Sequence, residues 1–460
     1  MADASTASAP EVRKRQAQST LVRPASAAMS GVTAHLNIEA VHESARGGPD
    51  WLGVHRLDAW HAYEALPLPT RQLEEWRYTD ISLFKLDKVR PVITEQLAGV
   101  PDGARALLQG REAAGTVLQV DGNIAEITLD RELESQGVLL LDLAVAAHER
   151  RDLLEKYLGA VLPFDANKFA ALNTALWAGG VFLYVPRGVR IDKPIRVARW
   201  LSEGGTAVFP RTLIVAEEGS HAGFVEEFGS PDFDQPALSC AVVEIAAAQA
   251  ANLQYVALQR WGNNVRHIHT QRTIAGRDAN LDSLVVNLGA TVARLDLAAS
   301  LEGPGARSDM LGLYFARGTQ HFDHSTRQDH KVPHASSDLL YKGALYDRAR
   351  SIFRGLIKVW PGAQRTDAYQ TNRNLLLSDR AEATSLPNLE IEADDVRCSH
   401  AATVGHLDQE ELFYIMSRGV PRAIAERLVV FGFLGEVFER LPMPGVIEEL
   451  RTAIEEKIGS

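Results

Sequence analysis

The 460-residue sequence contains only two cysteines, Cys240 and Cys398, far apart and in no CxxC arrangement. That scarcity argues against a disulfide-stapled secreted fold and against any self-contained four-cysteine zinc or iron–sulfur site. Positive charge is not in excess either: 48 Lys and Arg against 59 Asp and Glu leave a net −11. The balance argues against a nucleic-acid or anionic-membrane binder. No apolar run reaches the length of a membrane span, and the richest, 138–147, is interrupted by Asp142. The GxxxxGK[ST] loop, HExxH, GxSxG and a dinucleotide fingerprint are all missing. Without a P-loop the chain should not hydrolyse nucleotides by that route, and the commonest enzyme readings fall away.

What is present is ordinary globular composition, 46% hydrophobic and 23% charged, over a length that suits about three domains. Residues 1–30 are rich in Ala and Ser, with Arg13, Lys14, Arg15 and Arg23. They read as a disordered tail, with an organellar transit peptide as the alternative. From 31 to 178 the periodicity predicts helices over 51–66 (Leu57, Trp60 and His61 on its stripe), 153–162 and 169–177. A hairpin interrupts them, 116–120 and 124–129 joined by Asp121-Gly122-Asn123.

Between 179 and 405 short β-branched or aromatic runs follow one another between Gly, Pro, Asp and Asn. They include 181–185, 212–216, 241–245, 253–258, 284–288, 311–315 and 352–359. Sandwich, barrel and solenoid all fit such a run of strands. A loose echo helps to choose. Segments starting at Ser220, Ala251, Ala279 and Ala306 each carry a small residue, then a polar position, then an apolar strand, at steps of 31, 28 and 27 residues. Such steps suit one coil of a β-helix, although the echo alone leaves solenoid and sandwich evenly matched. After 406 helices return. Asp408 and Glu411 form a capping-box pattern opening 409–418, Gly419 is placed as its stop, and Pro421 as the first residue of the next helix. That helix carries Ile424, Leu428, Phe431 and Leu434 on one stripe, and a last helix spans 446–458.

Two histidine groups stand out. His321, His324, His330 and His334, with Asp323 and Asp329, offer metal-ligand chemistry. Residues at i and i+3 face opposite sides of a strand, however, so outer-face and turn positions are the favoured reading. His267 and His269 share a strand face and read as core or surface ladder. The segment 389–400 is more specific. Leu389, Ile391 and Ala393 alternate with Glu390, Glu392 and Asp394, as a half-buried strand requires. If that parity continues, Cys398 and His400 join the outward face, thiol beside imidazole with carboxylates upstream. The bland alternative is a small buried cysteine and a loop histidine.

Here the sequence resembles a known family. Phe353-Arg354-Gly355-Leu356-Ile357-Lys358-Val359, Gln370-Thr371-Asn372-Arg373-Asn374, Ala393-Asp394-Asp395-Val396, Cys398-Ser399-His400, Ala402-Thr403-Val404-Gly405 and Ser417-Arg418-Gly419 look like the SufB/SufD family of iron–sulfur cluster assembly proteins. Glu75-Trp76-Arg77-Tyr78-Thr79-Asp80 matches it near the amino end. The Cys-Ser-His and Ala-Thr-Val-Gly runs are of SufD type. Ala381 stands where SufB-like sequences carry a cysteine, so the SufB-type paralogue is the lesser alternative.

The resemblance implies a mainly β fold: a right-handed parallel β-helix, 179–405, between helical regions at 31–178 and 406–460. It implies a non-catalytic scaffold of a SufBCD complex in the cytoplasm, or in a plastid if the tail is a transit peptide. SufB would pair with the carboxy-terminal end of the β-helix, and the ATPase SufC would dock on the last helices. The docking candidates are Leu412, Phe413, Tyr414, Arg418 and Gly419, and an isolated chain could pair with itself. By the same resemblance His400, with Cys398 as the weaker candidate, would meet nascent cluster or iron at the SufB interface. No cofactor is expected on the isolated chain. Two readings of other classes are a β-helix polysaccharide lyase or hydrolase, needing paired carboxylates in an open groove, and a stand-alone metal binder using His321–His334.

Overall fold

The computed structural model describes residues 31–93, 99–441 and 443–459; the expected tail at 1–30 lies outside the described residues. The chain winds as a parallel β-solenoid of about eight turns, mainly β, with helices at both ends of the sequence. Each coil gives one strand to each of two sheets. The first sheet runs from Leu139–Asp142 through Gly180–Val185, Arg211–Ala216, Ala237–Ala247, Val265–Ala275, Val292–Leu301, His321–His330 and Arg350–Val359 to Glu382–Ile391. The second runs from Asn123–Leu129 through Gly115–Val120, Ile195–Trp200, His221–Gly229, Asn252–Arg260, Asn280–Asn287, Arg307–Ala316, Ser336–Leu345 and Asp367–Leu376 to Arg397–His406.

The sequence echo is the coil. His221 lies against Asn252, Asn252 against Asn280, and Asn280 against Arg307, so the echoed segments are stacked neighbours. The small residues fall at buried corners: Ser220, Ala251, Ala279, Ala306 and Ala335. Each follows a residue in the left-handed region, among them Gly219, Ala250 (φ 54) and Asp278 (φ 55). Such a residue turns the chain sharply, and a small residue after it fits the enclosed corner. His334 (φ 62) is one of these corner residues.

Helices cover part of each outer face. Helices Ile38–Ser44, Asp50–Ala65 and Lys168–Leu176 belong to the cluster that packs Phe182, Leu213 and Cys240 on the first sheet. Helices Arg422–Arg440 and Pro444–Gly459 cover the second sheet through Val430, Leu434, Val437 and Ile454 on Val256, Leu284, Leu311 and Leu340. A sheet covered on both faces reads as continuous burial rather than alternation. Arg211–Ala216, buried at every position, is the clear case.

Several expectations need correction. His321–His330 forms a full strand although Phe322 is its only large apolar residue. Its alternate side chains are enclosed by neighbouring coils, so the outer-face reading of His324 and His330 is wrong: both are buried. The hairpin turn is Asp121-Gly122 alone, both with positive φ, because Asn123 already pairs with Val120. On Asp50–Ala65 the buried positions are Leu52, Arg56, Ala59, Trp60 and Tyr63, and His61 is exposed. Pro421 is the N-cap of Arg422–Arg440 rather than its first residue. Ile424 and Leu428 are exposed, since the face laid on the sheet runs through Val430, Leu434, Val437 and Phe438.

Candidate functional site

The last coil consists of Glu382–Ile391 and Arg397–His406, each ten residues long and each paired on one side only among the described residues, to Arg350–Val359 and Asp367–Leu376. Two unpaired parallel edges therefore lie side by side. Ile391 and Val404 are exposed on this coil, at 41% and 43%.

Register places the candidate side chains. Cys398 stacks on Ala368 and His400 on Gln370. In a parallel ladder, stacked partners point the same way. Ala368 and Gln370 are buried, with Gln370 Nε2 donating 3.3 Å to Gly355 O inside the solenoid. A Cβ at Gly355 would collide with the Gln370 amide, which explains the glycine there. Cys398 and His400 thus continue interior columns and are not on the outward face. The bend between the two strands resets the parity: Arg365 N donates 2.5 Å to Asp395 O, and Asp395 N donates 2.8 Å to Gln364 Oε1. His400 is exposed because no further coil lies above it.

The upstream carboxylates do not join the pair. Glu390 lies on the outer face of the other sheet, where Lys358 Nζ approaches it at 3.2 Å and also pairs with Glu392. Cys398 packs with Ile357, Val359, Ala363 and Ala368. Burial first, and the Asp367 carboxylate second, push its thiol above the usual cysteine value. The thiol is therefore held protonated at neutral pH, and metal binding there would release a proton. Among the described residues no three His, Cys, Asp or Glu side chains gather as a metal cluster. Thiol and imidazole are good donors for iron, but two donors need further ligands from elsewhere.

The other histidines are dispersed. His324 points inward, its ring centroid 4.6 Å from that of Tyr314, with Nε2 3.0 Å from Asn287 Nδ2. His330 Nε2 lies 2.7 Å from Ser337 Oγ. His267 accepts from Trp261 Nε1 at 3.2 Å, and its centroid is 5.6 Å from that of His269. Burial lowers all four; His269, His324 and His330 fall to about 4.

His321 faces outward, 2.9 Å from Thr79 Oγ1. Thr79 also donates to buried Asp323, which Arg294 (2.5 Å) and Arg354 (2.7 Å) clamp. Burial works to raise Asp323, but Arg294 and Arg354 outweigh it and hold the carboxyl below its usual range. Arg294 in turn lies 4.1 Å from the Trp76 ring. The Glu75–Asp80 segment is thus a clip fastening the amino-terminal region to the solenoid. Nothing in the local sequence announces it, because its partners lie some 240 residues away.

At the other candidate surface, Asp408 caps Gln409–Ser417 by accepting from Glu410 N at 2.8 Å and Glu411 N at 3.3 Å. Gly419 (φ 85) ends that helix. Phe413 and Tyr414 are 73% and 60% exposed, and Arg418 Nη2 donates 3.0 Å to Tyr414 Oη. Leu412 is buried. It is turned inward, and its neighbours make the exposed face of the helix.

The sequence is similar to those of known proteins. Residues 199–433 match the family model described as the SUF system FeS cluster assembly, SufBD core domain, and residues 40–197 match the SufBD protein N-terminal region. The chain belongs to the SufBD family of iron–sulfur cluster assembly proteins. It is 33% identical over 418 residues to the iron–sulfur cluster assembly protein SufD of Bacillus subtilis, covering 89% of this chain and 94% of the relative. It is 30% identical over 437 residues to a SufBD family protein of Staphylococcus aureus, covering 92% and 93%. A Staphylococcus saprophyticus SufBD family protein is 29% identical over 425 residues, 90% of each chain. The SufBD core match begins within the solenoid and ends inside Arg422–Arg440, so it includes both the open coil and the exposed Phe413–Tyr414 face.

Proposed function

We propose that this chain is a non-catalytic scaffold subunit that pairs through its last coil with a SufB-type partner and carries a SufC-type ATPase on its carboxy-terminal helices. The observation that carries this reading is the open last coil, with two parallel edges unpaired and Cys398 and His400 at the exposed end of interior columns. A second parallel solenoid end can extend both ladders by strand addition. That would bring further donors against His400, and nascent iron–sulfur cluster would be the cargo there. His400 is the principal ligand candidate. Cys398, partly buried and protonated, is the secondary one. Phe413, Tyr414 and Arg418, with the helix stop at Gly419, form the proposed ATPase contact, supported by two large exposed side chains on one short helix.

The test is reconstitution with SufB and SufC. His400→Ala should retain both partners on co-purification while cluster assembly falls at least about tenfold. Full assembly by that variant would remove His400 from the site, and failure of the wild-type chain to capture SufB would remove the scaffold reading itself.

A further inference from the structure

A cavity of about 470 Å³ lies between the amino end of helix Asp50–Ala65 and the hairpin at 115–129, its wall including Arg46, Gly47, Gly53, Arg56, Asn123 and Asp142. Arg56 is only 3% exposed. Its guanidinium lies 4.1 Å from the Trp177 ring, and Nη1 donates 3.2 Å to Ala175 O. Its Nε has no hydrogen-bond partner among the described residues. Among the described residues no carboxylate pairs with it: burial first, and Arg211 second, pull Arg56 down to about 9. The one acid on the cavity wall is committed elsewhere, since Asp142 Oδ1 accepts from Ala144 N and Gly180 N, each at 3.1 Å.

A buried cation without a counter-ion is costly, and the cost is relieved when an anion enters beside it. Other features of the same wall suit an anion. Arg46 supplies a second guanidinium at the exposed rim. Gly53 sits inside the helix, where glycine is less favourable than alanine. A Cβ built there meets nothing within 4 Å. The missing side chain leaves the cavity clear beside Arg56, one turn further along. Two guanidiniums match a phosphate dianion better than a single carboxylate.

We propose that this cavity binds a small phosphorylated molecule, with its phosphate group facing Arg56 and Arg46. The site is separate from the last coil and does not depend on the scaffold reading.

Titration calorimetry of the full chain with inorganic phosphate and pyrophosphate tests it. Saturable binding near one per chain is expected, weakened at least about tenfold by Arg56→Met. Arg56 also packs on Trp177, so a second variant guards against misfolding. Gly53→Glu occupies open space on a helix, should keep or raise Tm, and places a carboxylate beside Arg56 that abolishes binding. The proposal is overturned if neither anion binds the wild type, if Gly53→Glu binds as tightly as wild type, or if chloride of matched ionic strength gives the same heat. Citrate binding in preference to pyrophosphate would overturn the phosphate assignment.

Discussion

The two ends of the solenoid are built differently. At the first end the outermost strands run antiparallel to their neighbours: Leu139–Asp142 against Gly180–Val185, and Asn123–Leu129 against Gly115–Val120. One is only four residues long and runs straight into a helix; the other carries Glu126, paired with Arg105 at 2.8 Å, beside a register shift at Leu118/Gln119. Short, bulged and charged edges discourage further pairing. At the last end two ten-residue strands stop in register, with no further strand beyond them among the described residues. The same coil geometry is thus closed where it begins and left open where it finishes. That difference, more than any single residue, is the ground on which the last coil is proposed as the partner surface.

The largest effect should come from blocking the open edge. Arg397 N donates to Thr366 O, so alternate N–H groups, that of Ala402 among them, face away from the stack. Ala402→Pro removes one outward donor without touching the inner ladder. Co-purification with a SufB-type partner, or self-pairing of the isolated chain, should be lost while the circular dichroism spectrum is retained. Undiminished pairing would mean that partners do not add to this edge.

Acid should strike the enclosed coils next. His269, His324 and His330 are neutral in the fold, with values near 4 set chiefly by burial, against 6.5 when unfolded. Below 6.5 the unfolded chain takes up protons that the folded chain refuses. Their contribution is therefore complete above pH 6.5 and drains away as pH falls towards 4. Urea unfolding should show a loss on the order of several kcal/mol between pH 6.5 and 4.5. His324→Gln, which keeps a hydrogen-bonding partner for Asn287, should flatten the slope by about one proton.

These enclosed histidines also show how much could be read in advance. The coil repeat was legible because corners demand small residues, and Ser220, Ala251, Ala279 and Ala306 supply them. The terminal helices were legible from Asp408, Gly419 and the prolines. His321–His330 was not, because its inward positions are filled by His324, Thr326, Gln328 and His330, bonded to neighbouring coils. An apolar-run criterion passes over such a strand. At the site, Cys398 and His400 were rightly placed on a common face, but the wrong one. The bend at Asp394-Asp395 resets the alternation, and only the register against Asp367–Leu376 reveals it. The clip from Thr79 to Asp323 was beyond local pattern altogether.

A matched pair of apolar truncations then separates the two ends. Leu140 is buried in the short edge strand of the closed end, packed in the core that includes Leu183 and Val197. Leu140→Ala should cost about 2–5 kcal/mol in urea unfolding and leave partner affinity unchanged. Val404, on the open coil, is already 43% exposed in the isolated chain. Val404→Ser should shift the stability of that chain by no more than about 0.5 kcal/mol. Its effect belongs to the complex, where covering the open end removes the valine from water and the truncation should weaken partner binding about five- to tenfold. If Val404→Ser instead destabilises the isolated chain as much as Leu140→Ala does, the last coil is already covered in solution, and the contrast between the two ends fails.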